Sequence, residues 1–375
     1  MPPPSKTGVQ NTKLYKMHKY TEELSNGLTV SVDYIAFTVI APMSVTEVIL
    51  LMGFHPDDFI EMPKGGFGYK KQLKNESNGI SILFDGAPDM GIHVNVTGKG
   101  VGSLLQAYAA AQEIKNPFNG AESAPLNETV LGLFFQEVLK VGQFTRLDAA
   151  IDDFGGNFFS PAQVFDLYEN HQVISKWRTV RRNDRRSAPK LCDGYTLYFG
   201  SRESSLMLRI YDKKLEQNKK LNPDDENFID FDWYRWELEF KEERANEFAK
   251  HVLEGARLGS IIVGVLAYYV RIIELDDGNR SRCSNLKKWD DFITGITQLR
   301  LHVFKKTRTV YDKLAWIENQ VSPTLATLLL IHNFDDAFIF DIAQKNKYRI
   351  SKSDWELIRQ HRPDVYDAYF PYEES

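Results

Sequence analysis

Leu206-Met207-Leu208-Arg209-Ile210-Tyr211-Asp212-Lys213 alternates residue by residue, with Leu206, Leu208 and Ile210 on one face and Arg209, Tyr211 and Lys213 on the other. A period of two is that of a β-strand, so the stretch predicts a strand with one face for packing and one for chemistry. The chemical face carries a single phenol between two cations. Free tyrosine ionises near pH ~10, so it needs neighbouring positive charge, or a base, to act as a nucleophile near neutrality. Arg209 and Lys213 are the candidates to supply that charge. The plainer reading is a cross-strand aromatic between two solvated cations.

Two acidic segments flank this one in sequence. In Phe144-Thr145-Arg146-Leu147-Asp148-Ala149-Ala150-Ile151-Asp152-Asp153, alternation puts Arg146, Asp148, Ala150 and Asp152 on one face. In Trp233-Tyr234-Arg235-Trp236-Glu237-Leu238-Glu239-Phe240-Lys241, Arg235, Glu237, Glu239 and Lys241 oppose Tyr234, Trp236, Leu238 and Phe240. Carboxylates are poor strand residues, and several on one face are costly unless a cation collects them. A hard divalent ion such as Mg²⁺ or Mn²⁺ is one such collector. Interleaved salt bridges with Arg146, Arg235 and Lys241 are the other.

The order of these segments, together with Thr196-Leu197-Tyr198-Phe199-Gly200-Ser201-Arg202 and Met90-Gly91-Ile92-His93-Val94-Asn95-Val96-Thr97-Gly98-Lys99-Gly100, resembles the replication initiation factor family. That family comprises single-tyrosine initiators of rolling-circle plasmids and related relaxases of conjugative elements. The resemblance runs from near Val32-Asp33-Tyr34 to about residue 255, and more weakly through Arg280-Ser281-Arg282 and Val321-Ser322-Pro323-Thr324-Leu325-Ala326. It implies that Tyr211 nicks one DNA strand and stays joined to the 5′ phosphate, with Arg209 and Lys213 beside it. Because the ester conserves the bond energy, no nucleotide cofactor is needed, and the chain has no Gly-rich phosphate loop of the Walker type. A divalent metal, Mg²⁺ or Mn²⁺, is implied as the cofactor that polarises the phosphate. Asp148, Glu237 and Glu239 are its leading ligands, with Asp152 next and Asp33 in reserve. His93 lacks the second histidine of a histidine-hydrophobic-histidine triplet, so it is read as structural. The alternative function is a non-catalytic origin-binding regulator.

With 46 Lys plus Arg against 51 Asp plus Glu, the chain has no general electrostatic coat for DNA, so binding must be local. Lys176-Trp177-Arg178-Thr179-Val180-Arg181-Arg182-Asn183-Asp184-Arg185-Arg186-Ser187-Ala188-Pro189-Lys190 is the strongest local concentration of positive charge. Read as a connection just ahead of the tyrosine strand, it makes Lys176, Arg178, Arg181, Arg182, Arg185 and Arg186 the candidate phosphate contacts, and Trp177 a candidate base-stacking ring. A solvated surface loop is the competing reading.

The 375 residues, 43% of them hydrophobic, support a substantial core. Residues 1–28 read as a flexible arm, 29–265 as an α+β catalytic domain and 266–375 as a helical accessory domain. The catalytic domain is expected to hold an antiparallel central sheet with covering helices, and the resemblance implies a nicking-enzyme-like fold with five central strands. Strands are expected at Leu28–Ile40, Ile80–Phe84, Gly91–Thr97, Arg146–Asp152, Thr196–Gly200, Leu206–Lys213 and Tyr234–Phe240. Ser44-Val45-Thr46-Glu47 has capping-box spacing, and Ser160-Pro161 opens another helix. Ala245, Phe248, Ala249, Val252 and Leu253 share one helical stripe. In the tail, helices are expected at Trp289–Leu299, Thr309–Asn319 and Thr324–Ile331. That tail is open to gripping origin duplex, contacting a helicase, polymerase or conjugative coupling protein, or forming a homodimer. The longest apolar run, Leu258–Val270, is too short to span a bilayer. With only Cys192 and Cys283, a cytoplasmic location is expected and no thiolate metal site.

Overall fold

A computed structural model describes residues 21–112, 128–188, 191–219, 221–293, 313, 317–351, 354–355, 358–359 and 362–369. They divide into two compact units between residues 302 and 303. The strands of the first are β1 (Thr21–Glu23), β2 (Thr29–Val39), β3 (Ile60–Glu61), β4 (Lys71–Asn75), β5 (Ile80–Phe84), β6 (Ile92–Val96), β7 (Gly142–Phe154), β8 (Val173–Ser175), β9 (Val180–Ala188), β10 (Leu191–Phe199), β11 (Leu206–Asp212), β12 (Trp233–Lys241) and β13 (Val270–Ile272). Its helices are α1 (Val45–Leu51), α2 (Gly98–Ala111), α3 (Glu128–Val141), α4 (Pro161–Glu169), α5 (Lys213–Asn218), α6 (Glu243–Leu253), α7 (Leu258–Tyr269) and α8 (Lys287–Ile293).

Eleven strands make one antiparallel sheet in the order β3-β4-β5-β6-β2-β7-β12-β11-β10-β9, with β1 added to β2. The architecture is α+β, as expected, but the sheet outgrows five strands because β3 to β5 and β9 to β10 extend its two ends. Tyr211 stands opposite Arg235 and Arg209 opposite Glu237. Across the next boundary Glu239 faces Asp148 and Arg235 faces Asp152, and beyond that Asp148 faces Tyr34. A slip of one residue would send these charges into the core, so the apolar set fixes the register. That set includes Leu147, Ile151, Leu208, Ile210, Trp236, Leu238 and Phe240, all buried. Contacts from α2, α3, α6 and α7 to the central strands cover it.

Local chemistry explains the helix starts. Ser44 Oγ accepts from the Glu47 N–H at 3.2 Å while the Ser44 N–H donates to Glu47 Oε2 at 2.7 Å, closing the box at the start of α1. Ser160 and Gln163 do the same for α4, with Pro161 in the first turn. On α6, Ala245, Phe248, Ala249 and Val252 are buried, but Leu253, expected on the same stripe, is 40% exposed.

Strand β2 carries an irregularity between Val32 and Tyr34. Apolar residues occupy even positions before it (Leu28, Val30, Val32) and odd ones after it (Ile35, Phe37, Val39), which is the mark of a β-bulge. The extra residue is Asp33.

The expected boundary at 265 falls inside α7, whose side chains are buried almost all round. Beyond it β13 pairs with β8, and Trp289 and Phe292 of α8 pack on Trp236 with ring centroids 5.9 and 5.0 Å away. Residues 266–293 therefore complete the sheet's core instead of opening a new domain. The helical C-terminal region is the second unit, with α9 (Ser322–Ile331), α10 (Ala337–Lys345) and α11 (Pro363–Tyr369). Most of the helix expected at 309–319 lies outside the described residues, as do residues 1–20 of the expected arm. Residues 21–23 of that arm are strand β1. Among the described residues no helix is long and apolar enough to cross a membrane.

Truncating a fully buried tryptophan costs about 3–5 kcal/mol. Trp289→Ala should therefore lower the chemical-denaturation stability of the sheet unit by about that amount. An effect confined to a separate transition would place α8 outside this core.

Candidate active site

The alternation of five neighbouring strands assembles one polar surface. From β11 come Arg209 and Tyr211, from β12 Arg235, Glu237, Glu239 and Lys241, from β7 Arg146, Asp148 and Asp152, from β2 Asp33 and Tyr34, and from β6 His93 and Asn95. The Tyr211 hydroxyl donates to Glu237 Oε2 at 2.8 Å, and the Arg209 guanidinium holds Glu237 Oε1. Arg209 also reaches Asp148 at 3.7 Å. Arg146 clasps Asp148 through two nitrogens at 2.8 and 2.6 Å and contacts Glu239 at 2.7 Å. Lys241 closes the other side of Glu239 at 2.9 Å. Tyr211, Arg209, Glu237, Lys213, Asp33 and Tyr198 line a cavity of about 340 Å³, with Tyr211 half-buried at its wall.

Lys213 starts helix α5, is largely buried and pairs with Glu216, its ammonium 5.5 Å from the Tyr211 ring centre. Asp152 stands apart from the other three acids. Fully buried, it accepts from Arg235 at 2.7 and 2.8 Å and from the Trp233 indole at 2.6 Å. With two cationic bonds and an indole on it, Asp152 acts as a clamp on Arg235, which also bonds the bulged Asp33 at 2.9 Å. His93 is bound at both nitrogens, to Thr38 at 2.9 Å and Asn95 at 3.1 Å, as a structural residue would be.

The basic segment is not a loop but edge strand β9, hairpinned to β10. Alternation splits its charges between the two faces. Arg181 faces the tyrosine side, opposite Tyr198, with its guanidinium 4.7 Å from that ring. Arg182 points the other way, bound to Asp184 at 2.7 Å and set against Phe165 and Tyr195. Lys176 and Arg178 are exposed before the strand begins, and the side chains of Arg185 and Arg186 lie outside the described residues. The Trp177 indole, expected to stack on a base, donates its N–H to Leu206 O at 2.8 Å and packs 4.6 Å from Tyr269. It is a packing wedge under Gly200.

The model of the replication initiation factor family matches residues 142–342, which covers β7, β9 to β12 and the tyrosine itself. The chain belongs to this family. It is 33% identical over 203 residues to a Bacillus subtilis (strain 168) protein that carries the provisional name DNA relaxase NicK. The match covers 52% of this chain and spans only about half, 56%, of that relative. A rolling-circle replication initiator from Geobacillus stearothermophilus shares the fold at a TM-score of 0.57, with 24% identity, covering 74% of this chain and 99% of that one.

In this member of the family the charges are unevenly matched. Arg146, Arg209, Arg235 and Lys241 meet Asp33, Asp148, Asp152, Glu237 and Glu239, which leaves one carboxylate without a full cation. Burial pushes Asp148 up to about 8, opposed by Arg146 and reinforced by the neighbouring Glu237. Burial is the largest influence on Glu237 and works to raise it, but Arg209, Arg235 and the Tyr211 hydrogen bond together outweigh it and hold that carboxyl below its ordinary value. The Tyr211 phenol is driven well above 10.0 by burial and then by Glu237, with Arg235 pulling the other way. The resting state is thus a protonated phenol on an ionised glutamate. A hard divalent cation suits these oxygens and would take the place of the Asp148 proton. As they stand, each is tied to a guanidinium or ammonium, and among the described residues no group of three acids, histidines or cysteines is spaced to hold an ion.

Arg235 and the bulged Asp33 are the parts that strand alternation did not single out. Arg235 looked like one more salt-bridging cation, yet it lies cross-strand from the nucleophile candidate. The parity switch in β2 was the available signal for Asp33.

The folded state binds the Asp148 proton more tightly than the unfolded chain does, so this group's contribution to stability falls as pH rises from about 4 to about 8. Without divalent ions, Asp148→Asn should flatten the loss of Tm between pH 5 and 8. An unchanged slope would show that another group carries it.

Proposed function

We propose that the chain is a metal-dependent DNA nickase and strand transferase, and that Tyr211 is its nucleophile. The observation that carries this is the Tyr211 hydroxyl 2.8 Å from Glu237, in a residue that lines one cavity with Arg209. Attack by the phenolic oxygen forms an O–P bond as the P–O3′ bond breaks. The phenolic proton passes to Glu237, and the departing 3′ oxygen takes a proton from solvent. The strand is left as a 5′-phosphotyrosine ester and a free 3′ hydroxyl, and the reverse step rejoins it.

Arg209 couples substrate arrival to this transfer. A scissile phosphate in the cavity competes with Glu237 for the guanidinium, because charge-assisted bonds to phosphate are strong and often bidentate. As Arg209 turns to the phosphate, Glu237 loses the cation that kept it a weak base and can accept the proton. Arg235, clamped by Asp152 and Asp33, supplies fixed positive charge across from the phenol. Asp148 and Glu239 would hold the divalent cation in exchange for part of their contact with Arg146 and Arg209, which leaves Glu237 to take the proton. Such an ion, Mg²⁺ or Mn²⁺, supplies Lewis-acid polarisation of the phosphate. Arg181, exposed on the same face, and the nearby Lys176 and Arg178 would neutralise phosphates upstream or downstream of the nick. The 3′ hydroxyl serves both origin priming and strand transfer. A helicase or coupling protein and a second protomer are the partners this chemistry would call on.

Incubation with single-stranded oligonucleotides tiled across the DNA around its own gene, with Mn²⁺, should give a DNA-linked peptide containing Tyr211 by mass spectrometry. Tyr211→Phe should give none, and adducts from that variant would remove the residue from the mechanism. Glu237→Gln should slow adduct formation by about 10²–10⁴-fold, the usual range for losing a general base. Tight binding without cleavage in either metal would instead favour a non-catalytic regulator.

Arg181→Ala should weaken binding uniformly across sequences and reduce the slope of log K against log salt by about 1. An unchanged slope would take DNA away from this edge of the sheet.

A further inference from the structure

The connection from β3 to β4, Pro63-Lys64-Gly65-Gly66-Phe67-Gly68-Tyr69-Lys70, carries a feature that the tyrosine chemistry does not use. Phe67 is 88% exposed, more than any other large hydrophobic residue among the described residues. Its φ is +53°, a conformation that a bulky side chain enters only under constraint. The constraint is visible. The Gly65 N–H donates to Lys70 O at 3.0 Å, the Tyr69 N–H to Gly66 O at 2.9 Å and the Lys70 N–H to Asp85 O at 3.1 Å. The Tyr69 hydroxyl donates to Met90 O at 2.9 Å. A Cβ at Gly65 would collide with the Tyr69 carbonyl, so the turn closes only with glycine there. The braced turn holds an aromatic ring out in water at a conformational cost.

The turn sits beside the polar face. The Tyr69 ring stacks on His93 at 6.3 Å, His93 bonds Asn95, Asn95 accepts from Tyr34, and the Tyr34 ring lies 4.6 Å from the Arg146 guanidinium of the acidic cluster. Strands β6 and β11 are separated by β2, β7 and β12, and the row through Tyr211 crosses β2 at Thr29 whereas His93 pairs with Thr38, so the two lie four strand spacings across and nine residues along the sheet, roughly 35 Å apart. That span corresponds to about ten base steps of duplex, close to one helical turn. Lys64, Lys70 and Lys71 are exposed around the ring, with Lys70 and Lys71 only 3.9 Å from their nearest acids, Asp85 and Glu61. A single ring amid lysines fits stacked bases between phosphates. It does not fit a protein partner, which would need a contiguous apolar patch.

We infer that Phe67 is a wedge that stacks into DNA about ten base steps from the scissile phosphate and opens the duplex so that a single strand can reach Tyr211. This rests on the nicking reading of Tyr211. It assigns the β3–β4 turn a DNA-melting role separate from the chemistry.

The test uses the full chain and one cleavable oligonucleotide in double-stranded and single-stranded form. Phe67→Ala should keep the parent's Tm, cut the duplex at least tenfold more slowly and cut the single strand at the parental rate. Phe67→Trp should retain duplex cleavage. Equal duplex rates for Phe67→Ala and the parent would overturn the wedge, as would equal losses on both substrates. A second readout needs no chemistry. In a Tyr211→Phe background, 2-aminopurine placed about nine to eleven steps from the cleavage point, or scanned along the duplex, should brighten on binding, and Phe67→Ala should abolish the rise. If the parent cleaves neither substrate, it is the nicking reading that fails. The fluorescence then decides the wedge alone, and a signal that ignores Phe67 overturns it.

Discussion

Charge burial on a single sheet face constrains everything else in this molecule. Glu237 and Asp148 are almost wholly buried, and so are Asp152 and Arg235. Taking such groups out of water is costly, and the cost is met only when each finds an opposite charge in good geometry. The strand register provides that geometry by placing Arg209 across from Glu237 and Asp152 across from Arg235. Removing one partner would strand a charge, whereas the apolar face of the same strands tolerates conservative repacking. The network also holds a phenol ready to act, because the carboxylate that pins Tyr211 is itself pinned by Arg209.

The same network gives the site its reactivity control. A phenol kept protonated and a glutamate kept ionised do not react by themselves, so the resting protein is chemically quiet. On the proposed mechanism, an arriving phosphate would draw off Arg209 and a divalent cation would displace part of the carboxylates' contact with arginine, each acting on the contacts that enforce that quiet. Arg235 differs in kind. Fully buried and clamped by Asp152, it cannot leave, and so it sets a constant positive field beside the Tyr211 phenol.

Strand alternation placed Tyr211 with Arg209, Glu237 with Glu239, and Asp148 with Asp152 on shared faces before any coordinates, because a period of two depends only on local backbone geometry. The two capping boxes were legible for the same reason, since each spans four residues. The basic segment was misread as a connection: nine residues dominated by arginine have no apolar alternation to mark a strand, and only pairing with β10 makes them one. Trp177 was misread because an indole's use depends on what surrounds it, here Tyr269 and Phe199.

By itself the sequence determined the α+β class and the faces of the three central strands, including the shared face of Tyr211 and Arg209, since strand alternation follows from neighbours in the chain. Only the tertiary structure decided which charges meet. It separated Asp152 from the other acids and gave it to Arg235, divided the arginines of β9 between two faces, and carried the core on through α8 to residue 293. Ion pairing and burial are set by strand order and register, and those contacts join residues more than 80 positions apart, such as Asp152 and Arg235, whose separation in sequence gives no sign of their contact.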